Sequence, residues 1–187
     1  EIAKAITESG FKSIVVSSGG IYETLITKTG TLHIKLPVHT KNPVSIYLNS
    51  KRLKKIIEEY NVDIVHARSR APAWSAYLAC KNSKAKFITT FHGVYSITSS
   101  LKRKYNSVMT KGEKIIAVSE FIKDHIQTNY QIASKKIKTI HRGVDLEYFS
   151  PEKIQTTKLQ HYFQNWHIPE DKHIILFPAR FTDWKGH

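Results

Sequence analysis

The sequence predicts an α/β protein built on a Rossmann-like, doubly wound parallel sheet. Short runs rich in Val, Ile and Phe alternate with stretches whose apolar residues recur at helical spacing. Strands separated by helices in this way form parallel sheets that helices cover on both faces. The composition agrees, because 41% hydrophobic and 24% charged residues over 187 positions are typical of a globular protein with a buried core.

Seven strands are predicted, and each is a short apolar or β-branched run bounded by turn residues. They occupy residues 12–17, 31–36, 62–66, 86–91, 114–118, 136–141 and 173–178. A turn-rich, polar stretch from Ser150 to about Thr157 precedes the last strand. We therefore expect an N-terminal domain over residues 1–150, followed by a linker and the start of a second domain over residues 151–187.

Helices are predicted between the strands, and capping residues mark several of their ends. They cover residues 1–9, 20–30, 43–60, 72–80, 99–110, 119–130 and 151–166. Asn42 is an N-cap that is followed by proline at the first helical position. Gly10 and Gly30 supply the left-handed conformation that ends a helix, and Ser119 caps the helix that follows it.

Several kinds of active site are excluded by the residues present. The ten histidines do not cluster at metal-ligand spacing, and the single cysteine, Cys80, lies inside a predicted helix. No Ser-His-Asp spacing, G-x-S-x-G turn or Walker sequence occurs, so we expect no metal and no cofactor. A lone cysteine fits a reducing compartment, and no apolar run is long enough to span a bilayer as a helix. We therefore expect a cytoplasmic protein.

The chain is strongly basic, with 29 Lys and Arg residues against 15 Asp and Glu residues and a net charge of +14. Such a surplus favours contact with phosphates, nucleic acid or an anionic membrane surface. No RNA- or DNA-binding motif occurs, and the aromatic residues fall at core spacing rather than as a stacking platform. A basic nucleic-acid-binding protein is therefore the lesser alternative, and we expect no nucleic-acid partner.

Polar residues follow the predicted strands at their carboxyl ends, which is where open α/β sheets bind ligands. The cleft candidates are Gly19, Gly20, Arg68, Arg70, His92 and Gly93. Together they predict a positively charged rim for an anionic, hydroxyl-bearing ligand such as a phosphorylated sugar. Simpler interpretations stay open. The paired glycines then form a tight turn, the arginines are solvated loop charges, and the histidine is a satisfied loop residue.

Five segments resemble those of a family 4 retaining glycosyltransferase. They are VDIVHARSRAPAWSAYLA (62–79), TTFHGVYS (89–96), KIIAVSEFIKDHI (114–126), HRGVDLEYFSP (141–151) and PARFTDWKGH (178–187). Their order is that of the family, and the resemblance extends over nearly the whole chain. It is nearest to the bacterial enzymes that build lipopolysaccharide core or related surface polysaccharide.

The resemblance implies a GT-B architecture, in which two Rossmann-like domains face each other across a cleft. It implies a nucleotide-sugar donor, a glycan or lipid-linked acceptor, and transfer with retention. Arg180 and Lys185 match the residues that bind the donor diphosphate, and two fixed cations there remove the need for a metal. His92 matches the catalytic histidine that reaches the transferred sugar. Arg68 and Arg70 line the same cleft and are expected to meet acceptor phosphate.

The chain also departs from the family's pattern. The family's first strand, with its glycine-rich loop, is expected before Glu1, and its paired glutamates are expected after His187. Because a doubly wound sheet places its first strand centrally, we expect a gap in the core, poor folding and no transferase activity from residues 1–187 alone. An inert truncated relic of such an enzyme is the alternative.

The basic surplus is concentrated over residues 101–142, where ten Lys and Arg residues stand against three acids. Lys102, Arg103 and Lys104 lie on a predicted helix with an apolar side, and such a helix can lie on an anionic membrane surface. The apolar residues of that side are Leu101, Tyr105, Val108 and Met109. We expect peripheral attachment to the inner face of the cytoplasmic membrane. A helix that packs its apolar side on the sheet is an equal alternative.

Overall fold

The computed structural model describes residues 1–81, 83–169 and 171–187. The chain divides into two compact units, Glu1–Gly143 and Val144–His187, which are described separately below. The predicted roles of the two parts, an acceptor-side domain and the start of a nucleotide-sugar domain, stay predictions.

Six parallel strands form two sheets within the described part of the first unit, which confirms the predicted α/β class. Strands β1 (Ile14–Ser17) and β2 (Leu32–Lys35) pair with each other. The second sheet has the order β3-β4-β5-β6. Its strands are β3 (Ile64–Ala67), β4 (Lys86–Phe91), β5 (Lys114–Ala117) and β6 (Ile137–Thr139). All six lie within or next to the predicted ranges, because each combines apolar residues with flanking turn signals.

Helices connect the strands, as the alternating pattern predicts. They are α1 (Ile2–Glu8), α2 (Glu23–Lys28), α3 (Pro43–Glu59), α4 (Arg70–Cys80), α5 (Ser100–Asn106), α6 (Glu120–Tyr130) and α7 (Thr156–Asn165). The Asn42 side chain accepts hydrogen bonds from the N–H groups of Val44 and Ser45, at 2.9 and 3.1 Å, which confirms the predicted cap. Helix α4 begins two residues before Pro72, the predicted start, because a helix tolerates proline in its first turn.

The core lies around the β3–β6 sheet. Phe91, Ile115 and Ile126 are fully buried, and the Thr89 hydroxyl donates to the Met109 carbonyl, which fastens the segment after α5 to β4. By contrast, α1, β1 and α2 contain no buried residue. The first sheet is therefore far less protected from solvent than the second.

The second unit lacks the strand predicted at residues 173–178, and that prediction was wrong. A strand is stabilised by hydrogen bonds to a neighbour, and the described residues 144–169 and 171–187 contain no other strand to supply them. The apolar residues of this segment are consequently exposed, with Ile175 94% accessible. The helical prediction before it holds in part, since α7 follows a 3₁₀ turn at Pro151–Lys153.

Candidate functional site

Three residues of the first unit meet at the carboxyl edge of the β3–β6 sheet. Arg68 follows β3, His92 follows β4, and Arg142 comes three residues after β6. The Arg68 Nε–H donates to His92 Nε2 at 3.2 Å, and an Arg142 Nη2–H donates to the His92 backbone carbonyl at 2.7 Å. Because parallel strands end at the same edge, residues far apart in sequence converge on one histidine.

The electrostatics of this edge keep its imidazoles neutral. Burial is the largest cause that lowers the pKa of His92, and the charges of Arg68 and Arg142 lower it further. Burial, followed by the Arg68 charge and His92, lowers the pKa of His66 to about 4. The His66 Nε2 atom is hydrogen-bonded to the Thr90 hydroxyl at 2.7 Å. His92 is therefore suited to hydrogen bonding rather than to carrying positive charge near neutral pH.

Gly93 and Arg70, the other candidates from this edge, differ in their surroundings. A Cβ added at Gly93 would meet no atom within 4 Å, so open space adjoins His92. The Arg70 side chain contacts other residues of the first unit. Its Nη1–H donates to Asn106 Oδ1 at 2.9 Å, and its guanidinium lies 4.6 Å from the Tyr95 ring centroid. The prediction that Arg70 meets acceptor phosphate stays untested.

The Gly19-Gly20 turn follows β1, and both glycines have positive φ, at 95° and 142°. The Gly20 N–H donates to Glu23 Oε1 at 2.8 Å, while Lys35 Nζ lies 2.7 Å from Glu23 Oε2. A Cβ added at Gly19 would collide with Glu23 Oε1. The tight-turn interpretation therefore holds. The Glu23 carboxylate occupies the Gly20 N–H and the Lys35 ammonium, which an anionic ligand at this turn would need.

The polar cluster around Glu23 was missed by sequence reasoning. His33 Nε2 is hydrogen-bonded to the Ser17 hydroxyl at 2.8 Å, and its Nδ1 lies 3.9 Å from Glu23 Oε2. Lys35 and Ser17 are paired in register at the ends of β2 and β1. The available signal was that both residues lie at or next to the carboxyl ends of two consecutive predicted strands, 12–17 and 31–36.

Arg180 and Lys185 lie in the second unit. The Arg180 carbonyl is hydrogen-bonded to His187 Nε2 at 2.9 Å, and Lys185 ends a 3₁₀ turn that begins at Asp183. Gly186 then adopts a left-handed conformation. The diphosphate-binding role of the two cations stays a prediction.

The basic side chains of α5 are all exposed. Lys102 Nζ donates to the Thr98 hydroxyl at 3.1 Å, Arg103 donates to the Asn129 carbonyl at 2.6 Å, and Lys104 lies beside them on the helix. The apolar side predicted for this helix is divided, since Leu101 is 77% accessible. Val108 and Met109 lie in a 3₁₀ turn and are fully buried. These two side chains support the packing alternative.

Two features are absent from the described residues. None of the helices described is long and apolar enough to cross a membrane. Within the same ranges, no group of three His, Cys, Asp or Glu residues is placed to hold a metal ion.

Comparisons with known proteins identify a matching family and several proteins of similar sequence or fold. A sequence model described as Glycosyltransferase Family 4 matches residues 1–148. A glycosyltransferase crystal structure from Rickettsia africae ESF-5 is 48% identical, with a TM-score of 0.84, and the match covers 99% of this chain. HepE of Anabaena, solved in complex with UDP-glucose, has a TM-score of 0.70 over 89% of this chain at 13% identity, which shows a shared fold.

The chain spans less than half the length of the proteins it matches. It covers 49% of the Rickettsia africae structure and 45% of the HepE structure. The protein YtcC of Bacillus subtilis (strain 168) is 24% identical over 162 residues, which are 86% of this chain and 38% of YtcC.

Proposed function

Because the chain belongs to glycosyltransferase family 4, we propose that it is part of an enzyme that transfers a sugar from a nucleotide-sugar donor to a glycan acceptor. The observation that carries the proposal is the convergence of Arg68 and Arg142 on His92 at the carboxyl edge of the sheet. The 48% identical Rickettsia africae protein, itself a glycosyltransferase, supports the same activity.

The donor is a nucleotide sugar, and Arg180 and Lys185 bind its diphosphate. HepE, which shares the fold, was solved with UDP and with UDP-glucose. When the bond to the sugar breaks, negative charge develops on the departing diphosphate, and fixed cations stabilise that charge. Two cationic side chains supply this stabilisation without a metal or cofactor.

His92 lies at the transferred sugar, and transfer proceeds with retention. Its neutral imidazole, beside the open space at Gly93, can hydrogen-bond a sugar hydroxyl without repelling the two guanidinium groups. Arg68, which is exposed, binds a phosphate on the acceptor, and Arg70 joins it by exchanging its bond to Asn106 for that phosphate. Gly19 and Gly20, which follow β1 of the other sheet, border the acceptor.

The acceptor is a lipopolysaccharide-core or related surface glycan, and the enzyme works in the cytoplasm at the inner face of the membrane. Lys102, Arg103 and Lys104 give α5 three adjacent exposed cations, and Leu101 beside them is exposed and apolar. Cations close to an anionic surface each contribute about 1 kcal/mol to attachment.

The activity is tested on the complete gene product with radiolabelled UDP-glucose and other nucleotide sugars, using lipid-linked glycan extracted from bacterial membranes as acceptor. We expect labelled glycolipid whose new linkage keeps the donor's anomeric configuration by NMR. His92→Ala should lower the rate about 100-fold, as loss of one transition-state donor does. His161→Ala is the matched control, since that ring is exposed and bonds Asn165 on its own helix. Folded protein that transfers from no nucleotide sugar contradicts the proposal, and an inverted linkage contradicts retention.

Membrane attachment is tested separately by flotation with phosphatidylglycerol vesicles. Changing Lys102, Arg103 and Lys104 together to Glu should abolish flotation. Three exposed cations of α3 changed to Glu serve as the matched control and should leave it intact; they are Lys51, Arg52 and Lys55. Equal flotation of both triple variants refutes attachment through α5.

A further inference from the structure

We propose that Arg68 is a positioning residue that fixes His92 as one neutral tautomer, with the ring proton on Nδ1 and a lone pair on Nε2. The inference deepens the proposed function and rests on it for the role of His92 at the sugar. The geometry itself, a guanidinium donor aimed at one ring nitrogen, is independent of any ligand.

The tautomer follows from the chemistry of the two partners. An arginine side chain has only donors, so the 3.2 Å contact from Arg68 Nε to His92 Nε2 is a hydrogen bond only if Nε2 is unprotonated. A neutral imidazole with no proton on Nε2 carries it on Nδ1. The hydrogen bond at one ring nitrogen therefore decides which nitrogen can donate to a substrate.

The charges around the ring keep it neutral, and the Arg68 hydrogen bond then selects the tautomer. Arg68 and His66 face it from the β3 side, and Arg142 reaches its backbone carbonyl from the segment after β6. Protonating Nε2 while Nδ1 keeps its proton would place a third positive charge next to two guanidinium groups in a half-buried position. That cost adds to the loss of the Arg68 hydrogen bond.

The consequence for the reaction is a fixed division of roles. Nε2 is occupied as an acceptor, so His92 does not take a proton from a substrate there. Nδ1–H is the remaining polar group of the ring, and it donates to an oxygen of the sugar. Arg68 thus acts on the sugar through His92, and an acceptor phosphate that draws Arg68 away would alter the state of the histidine.

The experiment is NMR of the ¹⁵N-labelled complete gene product without ligand. Ring-nitrogen shifts distinguish the two tautomers, and their titration gives the pKa. The His92 signals are assigned by their loss in His92→Gln. We expect Nδ1 to be protonated in the wild type. Arg68→Met should move most of the proton to Nε2 and raise the pKa of His92.

Arg142→Met is the matched control, because it removes an equal charge but leaves the bond to Nε2. It should raise the pKa of His92 and leave the tautomer unchanged. Wild-type protein with the proton on Nε2 overturns the proposal, and so does an unchanged tautomer in Arg68→Met. The wild-type spectrum decides the matter even where a variant folds badly. The NMR sample contains no sugar donor or acceptor. A negative transferase assay therefore does not affect the assignment of the His92 tautomer.

Discussion

Gly112 offers the sharpest test of how closely the second sheet is packed. It is buried in the turn that leads into β5, and a Cβ added there would lie 2.8 Å from the Lys114 carbonyl oxygen. The same Cβ would lie 3.2 Å from the Phe87 carbonyl oxygen and 3.2 Å from the Thr89 nitrogen. All three neighbours are backbone atoms of β4 and β5, so no flexible side chain can move aside.

We expect Gly112→Ala to lower the free energy of unfolding by about 1–3 kcal/mol, the usual cost of overpacking a closely packed site. For a chain of this size, that corresponds to a midpoint lower by roughly 2–12 °C. Thermal and urea unfolding followed by circular dichroism and Trp fluorescence give both numbers.

Gly143→Ala is the matched control for this test. A Cβ there meets nothing within 4 Å, and Gly143 has no positive φ. The control should leave stability unchanged or raise it by about 0.4–1 kcal/mol, because alanine restricts the unfolded chain. A Gly112→Ala protein as stable as the control would refute the close approach of β4 and β5 described above.

Two further predictions concern titrating groups. Because burial lowers the pKa of His66 from 6.5 to about 4, the unfolded chain binds a proton first as the pH falls. As the pH falls from 6.5 to about 4, the free energy of unfolding should therefore decrease by about 2 kcal/mol, allowing for solvent screening. Urea unfolding of His66→Gln should show little of this decrease. Hydrogen bonds from Lys35 and Gly20 lower the pKa of Glu23, so its contribution is present above the ordinary value of 4.5 and is lost as the pH falls through the lowered value. Glu23→Gln should flatten that acid limb, and an unchanged acid limb in urea unfolding would contradict the role of the carboxylate.

Local pattern was sufficient for the first six strands and for the Asn42 cap, because apolar runs and capping side chains act on their immediate neighbours. It failed at residues 173–178, since an apolar run becomes a strand only when another strand pairs with it. It also extended the helix of α5 through Val108 and Met109, whereas the chain changes to a 3₁₀ turn there and buries both side chains.

For the candidate site, the sequence predicted which residues lie together but not the contacts between their side chains. The rule that ligands bind at the carboxyl ends of parallel strands predicts that Arg68 and His92 lie at one edge of the sheet. Their hydrogen bond was not predictable, because it depends on the register of β3 against β4 and on side-chain rotamers. Gly112 gave no sequence signal either, since its constraint comes from β4 rather than from its own turn.

The Glu23 carboxylate, which accepts a hydrogen bond from the Gly19-Gly20 turn, also competes with any anion that binds there. Glu23 is only three residues along the chain from Gly20, whose N–H donates to its carboxylate. The carboxylate therefore competes for that N–H at an effective concentration on the order of millimolar or above. We therefore expect free phosphate at micromolar concentration not to displace the Glu23 carboxylate. Only an anion whose molecule makes further contacts along the sheet edge gains enough binding free energy to displace the carboxylate. We therefore expect the turn to favour an anion carried on a larger molecule over a free anion.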